Sequence, residues 1–390
     1  MDQPELLEET KERKQANPSK IRIAEIHIQN YKGIKNLKLK FKDRPIPSDL
    51  DVSIIGSANG IGKTAVLECC ALLMLAPFYN EQSAFFEDKY GPPRRFERIA
   101  PFLSTLFHFD SDNIKINGVI DFGKDSEKFG ISISKSNTFL KFKFEHEEDS
   151  KLRKFFGLDK RKGMGIEKLR TESSFSEKLE SIFGLSFNSM SQPICLNFNS
   201  YRKITETNPD FGTLVRGRDS TERMLNPISR FKADLLRMQM AEANLFDHVS
   251  FKFDDRWLPM LKSLLREFAG MDLAKPSPTD NSEILIRVKP LKVEDSDQSI
   301  SFDGLSSGQK EIIATLYQIY TDTIDRPKVV LIDEPELHLN AEWHRVFLNW
   351  LKKNAPQNQY IIATHSDFIW EYAQKKQRIY LENKSSEKGW

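Results

Sequence analysis

The stretch Asn59-Gly60-Ile61-Gly62-Lys63-Thr64 carries the residue types that could hold a triphosphate. Glycines let successive backbone N–H groups turn inward onto phosphate oxygens, Lys63 offers a cation to the β and γ phosphates, and the Thr64 hydroxyl suits Mg2+. Such a loop works only with a strand before it and a helix after it, whose positive N-terminal end faces the anion. Asp51 to Ile55 reads as that strand, and the apolar run from Ala65 to Phe78 reads as a buried helix. Ser57 stands where the phosphate-loop pattern opens with glycine, and Gly56 lies one place earlier.

A second group follows four apolar residues, Val329 to Ile332, in the form Asp333-Glu334-Pro335-Glu336. Two carboxylates at the end of a buried strand lie where open α/β sheets bind ligands. Asp333 is expected to hold Mg2+, directly or through water. Glu334 is expected to orient and deprotonate the attacking water, because phosphoryl transfer asks a protein mainly for positioning and electrostatics. Glu336 reads as structural. The competing reading is a turn of acids before a helix capped near Asn340. His365, in Ala363-Thr364-His365-Ser366 at the end of a further strand, could sense the γ-phosphate.

Between these groups lies Gly304-Leu305-Ser306-Ser307-Gly308-Gln309-Lys310, ahead of a helix with Ile312, Ile313, Leu316 and Ile319 inward. Leu305 to Gln309 can be an ordinary serine N-cap. It can equally be a second anion site. One triphosphate needs one cradle, so a second anion-binding helix start suggests service to the nucleotide of another copy, hence a homodimer.

The elements that must place these residues are legible by period. Alternation at Ile26 and Ile28, then at Leu37, Leu39 and Phe41, gives two strands around a turn at Tyr31-Lys32-Gly33. Further alternation from Asn113 to Glu147 gives an antiparallel lobe. Phe231 to Gly270 is helical in period, with Leu235, Leu236 and Met240 on one face. The last hundred residues alternate strand and helix, including an amphipathic helix with Trp343, Val346, Phe347 and Trp350, as in α/β folds. The expected organisation is a polar tail (1–20), an N-terminal lobe (21–150), a largely helical insertion (151–295) and a C-terminal lobe (296–390). No sustained heptad supports a coiled-coil arm.

Composition bounds the alternatives. The 390 residues include 58 Lys and Arg against 56 Asp and Glu, a net charge of +2, so only local patches could draw nucleic acid. Two such patches are Lys35, Lys38, Lys40 and Lys42, and Lys151, Arg153, Lys154, Lys160, Arg161 and Lys162. Three cysteines give neither a disulfide framework nor a zinc spacing. The acidic start lacks a secretory signal and the longest apolar run is too short for a membrane helix, so a cytoplasmic protein without a membrane partner is expected.

The four motifs, in this order, resemble the ABC-type ATPases of the RecF, SMC and OLD group. The resemblance implies an α/β ABC-type ATPase head with a mixed central sheet, an antiparallel β lobe and a mainly helical insertion. It implies a Walker A loop at Asn59 to Thr64, a signature loop at Leu305, Ser306, Ser307, Gly308 and Gln309, and Walker B at Asp333. Catalytic Glu334, a switch histidine at His365, and ATP with Mg2+ as ligands follow from it. The opening Ile26-His-Ile-Gln-Asn-Tyr-Lys-Gly-Ile is similar to the start of these heads, where the residue matching Lys32 lies near the nucleotide. Asn340 stands where these proteins often have Asp, and Ser307 replaces a frequent glycine. Asn199-Ser-Tyr-Arg202 is a faint echo of a lid.

The compact head and the Asp-Glu-Pro-Glu-Leu-His-Leu string look like the ATPase subunits of bacterial anti-phage systems such as Septu and PARIS. That likeness implies an ATPase that senses a trigger and controls a separate effector, a nuclease, since no nuclease site is evident in this chain. The alternatives are a RecF-like DNA repair or loading ATPase, for which DNA is a partner, and an ATP-held scaffold with little turnover.

Overall fold

The structure is a computed structural model that describes residues 20–42, 48–57, 62–78, 82–86, 113–135, 139–155, 195–200, 231–232, 234–236, 238, 256–278, 284–291, 298–337 and 339–382. Asn59, Gly60 and Ile61 lie outside these, as do Met240, Tyr201, Arg202, Lys160, Arg161 and Lys162.

A hairpin of β1 (Ile21–Tyr31) and β2 (Ile34–Lys40) opens the chain, and β3 (Asp51–Ser57) leads into α1 (Lys63–Leu73). Next come β4 (Gln82–Phe86), β5 (Asn113–Phe122), β6 (Asp125–Lys135), β7 (Phe139–His146), α2 (Lys151–Phe155) and β8 (Cys195–Phe198). The helix α3 (Trp257–Ala269) precedes five short strands, β9 (Met271–Leu273), β10 (Ser277–Pro278), β11 (Ile284–Leu285), β12 (Arg287–Pro290) and β13 (Ile300–Ser301). The chain then runs through α4 (Ser307–Thr323), β14 (Val329–Asp333), α5 (Ala341–Asn354), β15 (Gln359–Ala363), α6 (Asp367–Tyr372) and β16 (Arg378–Leu381).

Two sheets carry the fold. One is six-stranded in the order β2-β1-β5-β6-β7-β4, with every pairing antiparallel. The other is five-stranded in the order β16-β3-β15-β14-β8. Its pairings among the described residues are all parallel, where the resemblance implied a mixed sheet. The edge strand β8 comes from within 151–295, and β9 to β12 fall there too, so the described part of that segment holds strand as well as helix.

Burial on both faces explains why the parallel strands are apolar throughout. Val329, Leu331, Ile361 and Ala363 face one core, shared with α1 and the antiparallel lobe. Val330, Ile332, Tyr360 and Ile362 face the other, filled from α3, α4 and α5. The helix α1 is pressed between the two sheets, and nine of its eleven residues are buried, which is why it is apolar all round. By contrast α5 buries only one stripe, Phe347, Leu348, Trp350 and Leu351, and is amphipathic.

The two sheets are joined by polar groups where β1 bulges between Ile23 and Glu25. Gln359, fully buried on β15, accepts from the Ile23 N–H and donates to the Ile23 carbonyl, both at 2.8 Å. Buried Asp51 on β3 pairs with Lys20 and Arg22, and Arg22 also reaches Asp121 at 3.2 Å.

Candidate functional site

Three loops leave the carboxyl edge of neighbouring parallel strands. Ser57 ends β3, Asp333 ends β14, and His365 follows β15, which lies between them. Such an edge is where open α/β sheets place ligands. Gly62 starts α1 with φ 95°, a left-handed angle that favours glycine, and an added Cβ would press on Ile34 at 3.2 Å. Gly56 is tighter still, because a Cβ there would meet the Trp370 ring at 2.7 Å.

Lys63 opens α1, whose first turn has no acidic residue to compete for an anion. Its Nζ donates to the Ser57 carbonyl at 3.3 Å and lies 3.2 Å from Ser57 Oγ. Ser57, in the place of the expected glycine, thus anchors the lysine. Burial pushes the Lys63 amine below its ordinary range, and the carboxylates of Glu334, Asp333 and Glu336 push it back up. A polyphosphate entering here meets the negative charge of these carboxylates as well as the cation, a repulsion that a divalent ion would relieve.

Thr64 Oγ1 donates to Asp333 Oδ2 at 2.9 Å, bringing together both residues expected at a metal. A hydroxyl and one buried carboxylate are hard oxygen donors of the kind Mg2+ takes alongside phosphate and water. Among the described residues no cluster of three or more His, Cys, Asp or Glu could hold a metal ion.

Glu334 sits at φ 47°, an uncommon angle for a residue with a side chain. Its N–H is tied to the Ala363 carbonyl at 2.8 Å. The turn aims the carboxylate at β15, where His365 Nε2 lies 3.4 Å from Glu334 Oε1. Glu336 accepts from the His365 N–H, so it holds the histidine backbone. Asn340 caps α5 by accepting from the Trp343 N–H at 3.0 Å.

Lys32 is at φ 45° in the turn before Ile34, against Gly62, and its Nζ is paired with Glu68 on α1 at 2.6 Å. Tyr31 donates to the same carboxylate at 2.8 Å. The structure thus places Lys32 beside the loop with its charge engaged by Glu68. The motif reading missed Glu68 because it is a lone acid in an apolar run.

The loop Leu305 to Gln309 does form an N-cap. Ser306 Oγ accepts from the Gln309 N–H at 3.2 Å, and Gln309 Oε1 accepts from the Ser306 N–H at 3.0 Å, a reciprocal capping box. Leu305 is buried, while Ser307 and Gly308 open α4. A serine that accepts one bond still has its hydroxyl proton to give, so the cap leaves a donor for an anion.

Among the described members of the lysine patches, Lys38, Lys40, Lys151, Arg153 and Lys154 are engaged within the chain. Lys38 and Lys40 pair with Glu25 at 2.8 and 3.6 Å. Lys151 pairs with Asp125 at 2.6 Å and Lys154 with Asp149 at 3.1 Å, while Arg153 is buried and donates to the Pro77 carbonyl at 2.6 Å. No helix among the described residues is long and apolar enough to cross a membrane.

A helix start with a lysine, a threonine and a strand-end aspartate joined across the sheet defines a P-loop type of nucleotide site. The family described as "AAA domain, putative AbiEii toxin, Type IV TA system" matches residues 53–371, and the chain belongs to that family of AAA-type P-loop ATPases. It is similar to the Retron Vc95 probable ATPase of Vibrio cholerae serotype O1 biovar El Tor, at 23% identity over 90% of this chain and 72% of that protein. It is likewise similar to the Retron Ec83 probable ATPase of Escherichia coli, at 23% identity over 90% of this chain and 70% of the relative. Among solved structures it resembles an SMC head bound to the C-winged helix domain of ScpA, with 12% identity, 90% and 92% coverage and a TM-score of 0.45. It also resembles the recombination mediator RecF, with 11% identity, 90% and 95% coverage and a TM-score of 0.42.

Proposed function

We propose that the chain binds Mg2+-ATP at the carboxyl edge of its parallel sheet and hydrolyses it where two copies meet face to face. The observation that carries this is the junction of Thr64 with Asp333 at 2.9 Å, beside Lys63 and within reach of the Glu334–His365 pair at 3.4 Å. Lys63, the backbone of Asn59 to Gly62 and the N-terminal end of α1 take the phosphates. Thr64 and Asp333 would hold Mg2+, which would supply charge neutralisation at the phosphate oxygens. Glu334 orients a water and takes its proton as the water oxygen bonds to the γ-phosphorus and the bond to the β-phosphate oxygen breaks. His365 steadies Glu334 and faces the γ-phosphate. Leu305 to Gln309 of the second copy closes the site, with the Ser306 hydroxyl donating to the nucleotide, and Lys32 leaves Glu68 to approach it.

The biological reading is an ATPase subunit of an anti-phage defence complex that controls a separate effector nuclease. The retron names of its relatives and the toxin–antitoxin wording of its family support it. Direct DNA loading has less support, since Lys38 and Lys40 pair with Glu25, Lys151 with Asp125 and Lys154 with Asp149.

The test is Glu334→Gln, which keeps the shape of the side chain and removes its basicity. ATP binding should persist while turnover falls by about 10² or more, as for the loss of one positioned catalytic group. Turnover at the wild-type rate would remove Glu334 from the reaction.

A further inference from the structure

Lys232 is fully buried, lies in the 151–295 segment, and has no part in the chemistry above. Burying an ammonium is costly unless it is paired, and an apolar side chain of similar volume would serve packing as well or better. Its partner is specific: Nζ lies 2.6 Å from Asp303 Oδ1. Asp303 sits in the single 3-10 turn Phe302–Gly304, three residues ahead of Ser306.

That turn is held from several sides. Lys310, itself buried, donates to the Asp303 carbonyl at 3.0 Å. The Ser301 hydroxyl accepts from the Asp303 N–H at 3.2 Å. The Phe231 ring, next to Lys232, packs on Phe302 at 5.5 Å and on Tyr317 of α4 at 5.3 Å. The backbone leaving the turn is fixed by the Leu305 N–H bonding the Phe302 carbonyl at 3.1 Å. Ser306 therefore starts α4 from a base whose position is set by a residue of the 151–295 segment.

We propose that Lys232 is a positioning residue for the Ser306 loop: through Asp303 it sets where that loop stands, and so governs closure of the two-copy site. This rests on the dimer reading above. Lys232 does not touch nucleotide bound at Lys63, so its loss should spare binding to one copy and weaken the bridge between two.

The experiment uses the full chain carrying Glu334→Gln, with sedimentation velocity in Mg2+-ATP reading dimer formation and a fluorescent ATP analogue reading binding to one copy. Adding Lys232→Met should weaken ATP-driven association by about ten-fold, the scale of one charge-assisted contact, with analogue affinity unchanged. Lys232→Arg, which keeps the charge, should restore association. In the chain with Glu334 intact, Lys232→Met should lower kcat and leave KM for ATP nearly as it was. Should Lys232→Met fail to fold, Asp303→Asn carries the same test, because Asp303 is partly solvated and its amide keeps its shape. Association as tight as in Glu334→Gln alone, with either variant folded, overturns the proposal. If Glu334→Gln itself stays monomeric in ATP, the dimer reading falls, and this inference falls with it.

Discussion

At the carboxyl edge of the parallel sheet, Thr64 meets Asp333 across 269 residues of chain, and Glu334 meets His365 from the neighbouring strand. At the head of α4, Ser306 and Gln309 bond each other within a single turn. The first region is assembled by tertiary structure and exists only when both sheets and α1 are in place. The second is local, a helix start that would form in much the same way on any scaffold. The difference teaches that, on the proposed reading, a role for the Ser306 loop would depend on where it is held, and one for Lys63 on which residues the sheet brings together.

Lys63→Ala should break the first region alone and most severely. Affinity for Mg2+-ATP measured by calorimetry should fall about 10³-fold, since several charge-assisted bonds to phosphate go at once. Unchanged affinity would contradict the loop assignment, and a preserved capping box in the same variant would show the two regions to be independent.

Gln359→Leu attacks the frame. It leaves the Ile23 N–H and carbonyl buried without their partner, so urea unfolding should report a loss of about 3 kcal/mol. A loss below about 1 kcal/mol would mean that the lobe is not locked to the parallel sheet at this point.

Ser306→Asp sharpens the contrast at smaller scale. Aspartate still caps a helix, so the thermal midpoint should hold, but it offers an acceptor and a negative charge where phosphate would come. Turnover should drop about ten-fold with binding to a single copy intact. If turnover is kept, Ser306 is a cap and nothing more.

Smallest of all is the expectation for Lys38→Ala and Lys40→Ala, whose charges are balanced by Glu25. The slope of DNA affinity against salt, on logarithmic axes, should move by less than about 0.9, the share of one phosphate contact. A larger change would return DNA to the candidate ligands.

Much of this was legible in the residues. The strand before Gly62 and the helix from Lys63 were readable because their periods are local, and Asp333 because four apolar residues must end somewhere polar. What escaped was set by register between distant segments. Cys195 to Phe198 is four residues long, too short for alternation to declare a strand, and only its parallel pairing with β14 makes it the edge of the sheet. The lysines of β2 read as a charged stripe until hairpin register put Glu25 beside Lys38 and Lys40. Ser57 looked like a defect in the loop pattern, and its anchoring of Lys63 needed coordinates.

Glu334 bends the backbone into an angle that only glycine adopts freely. The role proposed for Glu334 in hydrolysis and the ease of its backbone would then pull against each other at this corner. A Glu334→Gly protein should outlast the wild type on heating while doing no work.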